Sequence, residues 1–458
     1  MRFTRRILEG RARVIAAGCA LSAAAWSCSS GDEAPAGDVS LDAGADAVPG
    51  DTDLDAGTDA NRPRDAAPFD AAPLPVVCDG QPCAVALVTT LGASDADRAE
   101  GFCALLDDGT VACWGANGAG QLGRGDDAGP ADDATPARVV GLADVVALDH
   151  TCALDANGEA FCWGTGPFLR DDSPYPTTER TPVKLPIPRA KAVSTGVATT
   201  CAAVDEGVLC WGANRAGQIA PSNVSPWYTF LGPTLVAMPA GAPVRDLVVA
   251  NASFAVREDG TTVSWGANPP LARTSPMFPD PYPQPIALEG VSNMDVALDN
   301  ACAVAHGQGW CWGVALPRKS GGGFQLPSGP NVDRALPEPI VAPEPLLRIA
   351  TTRTIIGEDL GVPVIQPQRW CGSAASGALY CWGHNAAGQV GNGTTTYADA
   401  AVKIDLPGPT ADVRTTPDAT CALATNGKIH CWGSNAYGQL GTGKSKVPSL
   451  VPQEVVLP

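Results

Sequence analysis

The chain has 458 residues with 51 Gly, 42 Pro and 16 Cys, and its 48 acidic against 30 basic side chains give a net charge of −18. Binding a phosphate backbone needs clustered Lys and Arg, and no such cluster is present, which excludes nucleic acid as a partner. So much Gly and Pro argues against long helices and for an all-β chain of short strands and turns.

At the N-terminus, Arg2, Arg5, Arg6, Arg11 and Arg13 precede and overlap an apolar run that ends at Trp26, followed by Ser27 and Cys28. This pattern predicts a secretion signal over residues 1–27, with an apolar stretch too short to span a bilayer. Ala25-Trp26-Ser27-Cys28 resembles a bacterial lipobox, which implies cleavage before Cys28 and a lipid on its sulfur. Cys19 is the rival acceptor, but the apolar stretch before it is shorter than such a signal needs. From Cys28 to residue 75 the chain is Asp, Ala, Gly and Pro in near repetition. Residues 29–75 hold 11 acidic side chains against Arg62 and Arg64. That composition cannot bury a core and predicts a disordered, self-repelling linker. The Asp51, Asp53, Asp55 and Asp59 spacing does not make a calcium loop, because Ala56 stands where the turn needs Gly and no Glu closes it.

Beyond residue 76, Trp-Gly recurs at Trp114, Trp163, Trp211, Trp265, Trp312, Trp382 and Trp432, at intervals of 49, 48, 54, 47, 70 and 50 residues. Self-similarity at this period marks a propeller, solenoid or array. Each Trp-Gly closes a predicted β-hairpin; in the first unit Cys103-Ala-Leu-Leu and Val111-Ala-Cys-Trp-Gly flank Asp107-Asp-Gly, a three-residue loop suited to a type I turn with a bulged Gly. Cys103 and Cys113, Cys152 and Cys162, Cys371 and Cys381, and Cys421 and Cys431 then face each other across such hairpins. Cys201 with Cys210 and Cys302 with Cys311 face each other across two-residue turns. Directly opposed strand residues lie close enough for a disulfide. The fourth unit has Phe254 and Ser264 in these places, and Cys78 with Cys83 makes a seventh, local pair. A zinc site would need C-x-x-C pairs, which the chain lacks, so no metal is expected and an oxidising compartment is.

Four units continue alike after Trp-Gly: Ala116-Asn-Gly-Ala-Gly-Gln-Leu-Gly, Ala213-Asn-Arg-Ala-Gly-Gln-Ile, His384-Asn-Ala-Ala-Gly-Gln-Val-Gly and Ser434-Asn-Ala-Tyr-Gly-Gln-Leu-Gly. With the hairpin before it, this resembles the repeat of the regulator of chromosome condensation (RCC1) family over residues 76–458. The resemblance implies a seven-bladed β-propeller. Val451-Pro-Gln-Glu-Val-Val-Leu is similar to strands that open other units, which predicts that the C-terminal strand completes the first blade. Units two, four and five depart from the pattern, and the longest interval places insertions near Lys319 to Pro345 and Gly357 to Gln366. Long loops on a rigid scaffold are where binding is expected.

No catalytic constellation is visible. His150, His306, His384 and His430 fall in different units, hydrolase, P-loop and dinucleotide motifs are absent, and Gly321-Gly-Gly lacks the residues that would cradle phosphate. The seven Trp-Gly tryptophans suggest packing between blades. Trp227, Tyr228 and Phe230, in a Pro- and Ser-rich loop, are candidate partner-binding residues, because aromatic anchors carry much interface energy; Met277, Phe278 and Tyr282 form a weaker group. The expectation is a monomeric, non-enzymatic scaffold without cofactor, lipid-anchored at a bacterial cell envelope, presenting loops to an extracytoplasmic protein or glycan. Guanine-nucleotide exchange, the activity of the nuclear family member, is one alternative, opposed by the export signal, the disulfides and the lack of a basic arm. A polysaccharide-directed enzyme is the other, and adjacent Asp171 and Asp172 are not the two flanking carboxylates it would need.

Overall fold

A computed structural model describes residues 72–458 apart from 95, 96, 98, 99, 222–228, 299, 314–335 and 360–361. The signal peptide, Cys28 and nearly all of the linker lie outside the described residues. Within them are seven four-stranded antiparallel sheets and one two-stranded hairpin. In every sheet the strands lie side by side in chain order, the sixth carrying the extra hairpin between its first and second strands. The first strands, Ala84–Thr89, Val145–Asp149, Ala190–Thr195, Val244–Val249, Val291–Ala297, Leu346–Thr351 and Thr410–Thr415, touch one another in a closed cycle. They therefore line a central channel. The fourth strands, Asp133–Arg138, Thr177–Lys184, Phe230–Leu235, Asp280–Pro285, Glu338–Pro339, Ala398–Ile404 and Ser449–Glu454, form the rim. The protein is a seven-bladed propeller.

The second and third strands of each blade are buried along nearly their whole length, on both faces. Each cluster of core side chains joins neighbouring blades: Trp163 of blade 2 packs with Leu122 and Val139 of blade 1, and Trp265 of blade 4 with Ile219 and Val236 of blade 3. The hairpin turns follow the sequence. Gly109, at φ +77°, donates its N–H to Leu106 O, and Leu106 N–H bonds Thr110 O. This left-handed position suits Gly because it carries no Cβ. His306 and Gly307 form a two-residue turn at φ +50° and +78°.

All seven expected disulfides are present. Six link directly opposed residues of the second and third strands, with Cα separations of 4.0 to 4.1 Å. Cys78–Cys83 spans 5.8 Å between Cα atoms just before blade 1. In blade 4 Phe254 faces Ser264 instead; the Phe254 ring fills the site and meets Trp312 edge-on, with centroids 6.0 Å apart.

Ring closure differs from the expectation. Ser449–Glu454 pairs with Ile429–Gly433 in blade 7, and blade 1 draws all four strands from the N-terminal part of the propeller. The sequence similarity that suggested an exchange of strands is that of one rim strand to another, since Thr135-Pro136 also lies on a rim strand. Closure is made by contacts between complete blades. Val77 N–H bonds Thr425 O at 2.7 Å, Ala84 N–H bonds Gly427 O at 3.0 Å, and Val76 and Leu457 pack against the core shared by blades 7 and 1.

Candidate binding face

The four motif-bearing turns after Trp-Gly hold themselves together. Asn117 Oδ1 accepts Leu122 N–H, and Gln121 Oε1 accepts Ala119 N–H; Asn214 and Gln218, Asn385 and Gln389, and Asn435 and Gln439 repeat both bonds. Folding the turn in this way aims the Gln backbone carbonyl at the next blade. There it accepts an indole N–H: Gln121 from Trp163 at 2.9 Å, Gln218 from Trp265 at 2.7 Å, Gln389 from Trp432 at 2.9 Å, and Gln439 from Trp114 at 3.1 Å, the last bond crossing the closure seam. Blades 2 and 4 lack the motif, yet Pro167 O and Pro270 O take the same place for Trp211 and Trp312. The tryptophans are thus sealed between blades, all but Trp382 fully buried.

In an up-and-down sheet the connections from first to second and from third to fourth strand emerge at the same end. Every long connection between the described strands belongs to those two classes: residues 90–100, 116–132, 167–176, 214–229, 267–279, 314–337, 352–368, 384–397 and 434–448. Among the described residues, the opposite face carries tight hairpin turns, blade linkers no longer than residues 236–243, and the segment 72–83 that leads into the first strand and packs on the turns at 107–110 and 425–428. One end of the propeller is therefore built of loops and the other is trimmed.

The loop face surrounds the mouth of the channel, where a cavity of about 190 Å³ is lined by residues from all seven blades, among them Thr89, His150, Thr195, Asp295, Thr351 and Arg414. Polar groups lining and behind it serve the ring. Asp149 Oδ2 accepts Thr195 N–H, Asp295 Oδ2 accepts Thr351 N–H at 2.7 Å, and Ser194 Oγ accepts Val249 N–H, each tying an inner strand to the next blade. Arg414 donates to Leu87 O of blade 1 and pairs with Asp412 at 3.1 Å. Burial opposes its charge, but Asp412, Asp295 and Asp149 hold its pKa above the usual arginine value. Burial pushes the Asp295 carboxyl up.

A second polar cluster, not anticipated from the sequence, lies where blades 6, 7 and 1 meet. Glu100 is buried and accepts hydrogen bonds from Thr416 Oγ1 and, at 2.9 Å, from Asp418 N–H. Arg369, wholly buried, donates to Thr416 O at 2.8 Å and Ala419 O at 2.7 Å. Desolvation, helped by the Asp418 charge, pushes Glu100 up to about 8, and desolvation lowers Arg369 to about 10.

Of the expected partner-binding residues, Trp227 and Tyr228 lie outside the described residues, whereas Phe230 is half-buried and stacks obliquely on Tyr175 of blade 2, with centroids 4.6 Å apart. Tyr175, Met277, Phe278 and Tyr282 are exposed. They extend the aromatic group over the loop-face rim of blades 2 to 4, and Tyr175, isolated in sequence, was missed. The histidines do not converge. His150 Nδ1 lies 3.1 Å from Thr89 Oγ1, His306 sits in a hairpin turn on the opposite face, and burial lowers the pKa of His430, a third-strand residue. Asp171 and Asp172 are exposed neighbours in a short 3₁₀ turn beside Arg170. Cys78, Cys83 and Asp107 come within ligating distance of one another, but the two sulfurs are bonded to each other, leaving no thiolate for a metal.

Comparison with known proteins agrees with this architecture. Residues 417–439, the blade 7 hairpin and its Asn-Gln turn, match the regulator of chromosome condensation (RCC1) repeat. Among solved structures, Prp20p of Saccharomyces cerevisiae, described with its binding properties to Gsp1p and histones, is 18% identical, covering 77% of this chain and 87% of that one at a TM-score of 0.58. Yeast RCC1 (Prp20) bound to Kap60 gives 18% identity, 76% and 84% coverage and a TM-score of 0.59. Human WBSCR16 gives 17%, 76% and 94%, and 0.56. At these identities the likeness is one of fold.

Proposed function

We propose that this RCC1-repeat propeller is a non-enzymatic binding scaffold whose loop face takes an extracytoplasmic protein partner. The observation that carries the reading is the confinement of every long connection to one face, with the exposed aromatics Tyr175, Phe278 and Tyr282 on its rim. A trimmed opposite face costs nothing if binding happens elsewhere, and aromatic side chains bury large areas at low entropic cost. The solved propellers of this fold include proteins described in complex with, or by their binding to, other proteins, which supports protein over glycan as the ligand class. Seven disulfides point to an oxidising compartment. Among the described residues no helix is long and apolar enough to cross a membrane. Attachment at the cell envelope through a lipid on Cys28 completes the proposal, with the acidic linker as spacer.

The test is affinity capture from envelope and culture-medium fractions, followed by point variants of the full chain. Phe278→Asp and Tyr282→Ala should weaken a captured partner at least tenfold, whereas Val341→Asp, on the opposite face and 89% exposed, should leave affinity unchanged. The reverse pattern would place binding on the trimmed face and defeat the reading. Radiolabelled palmitate incorporation that persists in Cys28→Ala would defeat the anchor.

A further inference from the structure

The rim strands of a propeller are free sheet edges, with outward N–H and C=O groups ready to pair with another chain. Six of the seven blades here carry proline in one register position on the rim strand or, in blade 5, just before it, immediately preceding the residue opposite the third-strand Cys or Ser. These are Pro136, Pro182, Pro233, Pro283, Pro337 and Pro452, preceding Ala137, Val183, Thr234, Gln284, Glu338 and Gln453. In blade 6 the residue opposite Cys381 is Val402, and the position before it is Ala401.

The position faces outward. Val139 N–H bonds Val111 O, so in blade 1 residues 139 and 137 turn their backbone groups inward to the third strand and residues 138 and 136 turn theirs out. Two residues before the proline the carbonyl also points outward: Ala134 O, Arg180 O and Leu450 O each accept an N–H from a loop glycine of the preceding blade. Proline at this place sacrifices no bond within the blade and removes a donor from the edge. Blade 6 alone keeps that donor. Its outward residues are Asp399, Ala401 and Lys403, and both charged side chains are exposed.

We propose that the blade 6 rim strand, Ala398–Ile404, pairs antiparallel with the same strand of a second copy, about a two-fold axis at Ala401. In this register Ala401 meets Ala401, and Asp399 of each copy meets Lys403 of the other, so the edge is complementary to itself in charge. Opposed unlike charges on paired strands are favourable, and an isologous contact of this kind closes at a dimer. Proline at the central position, as in the other six blades, would remove both central hydrogen bonds. The inference replaces the monomer expected from sequence and is independent of what the loop face binds.

Sedimentation of the full chain over a range of concentrations tests it. The chain should show a monomer–dimer equilibrium. Ala401→Pro should shift it at least tenfold toward monomer with little change in melting temperature, because the N–H it loses points away from the blade. Lys403→Asp should do the same by opposing two carboxylates, and Asp399→Lys combined with Lys403→Asp should restore dimer by exchanging the charges. A chain monomeric at about 100 µM, a dimer insensitive to both single variants, or a failure of the charge exchange to restore dimer would each overturn the proposal.

Discussion

Trp163 illustrates what the repeated residues do. Its indole is buried and its N–H bonds Gln121 O, a carbonyl positioned by the Asn117 and Gln121 side chains of the neighbouring blade. Trp163→Phe keeps most of the apolar area but leaves that carbonyl buried without its donor, which should cost about 1 to 3 kcal/mol in chemical denaturation. Glu100 presents the opposite case, a buried group whose charge is disfavoured. With its carboxyl raised to about 8 in the folded protein against 4.5 ordinarily, its contribution is fully present below about pH 4.5 and is lost as pH rises through 8. The melting temperature should therefore fall from pH 5 to pH 9, and Glu100→Gln should flatten that slope; a slope unchanged in the variant would show that Glu100 is ionised throughout.

At the scale of the blade, the disulfide is one solution to a packing position and Phe254 with Ser264 is another. Phe254→Cys with Ser264→Cys should form a bond, since the two residues stand directly opposed. The gain, on the order of 2 to 3 kcal/mol, is offset by loss of the buried ring against Trp312, worth about 3 kcal/mol or more, and of the Ser264 Oγ bond to Leu271 O. The melting temperature should stay within a few degrees of the parent, and a large rise would show that the ring contributes little. Blade number, hairpin register and all seven cysteine pairs were legible because they depend on local spacing along one or two strands. The closure was misread because Val451-Pro452 resembles Thr135-Pro136, and that likeness reports a shared rim position while saying nothing about which sheet the strand joins. Glu100 and Arg369 gave no signal either, since residues 269 positions apart meet only once the ring is closed. Tyr175 was hidden for the same reason, its partner Phe230 being supplied by the next blade.

For the whole molecule, the division into a loop face and a trimmed face follows from strand order. Every insertion that lengthens a repeat falls between a first and second or a third and fourth strand, so the same up-and-down topology sends them all to one end. The sealed tryptophans and the inner-strand ties through Asp149, Ser194 and Asp295 make the disc a rigid support for those loops. The account's central claim is that binding occurs on this end. Hydrogen exchange of the full chain with and without its captured partner tests it most directly. Protection on partner binding should concentrate in residues 167–176, 214–221 and 267–280, with the turns at 156–159, 258–261 and 425–428 unaffected. Protection confined to those turns would contradict it.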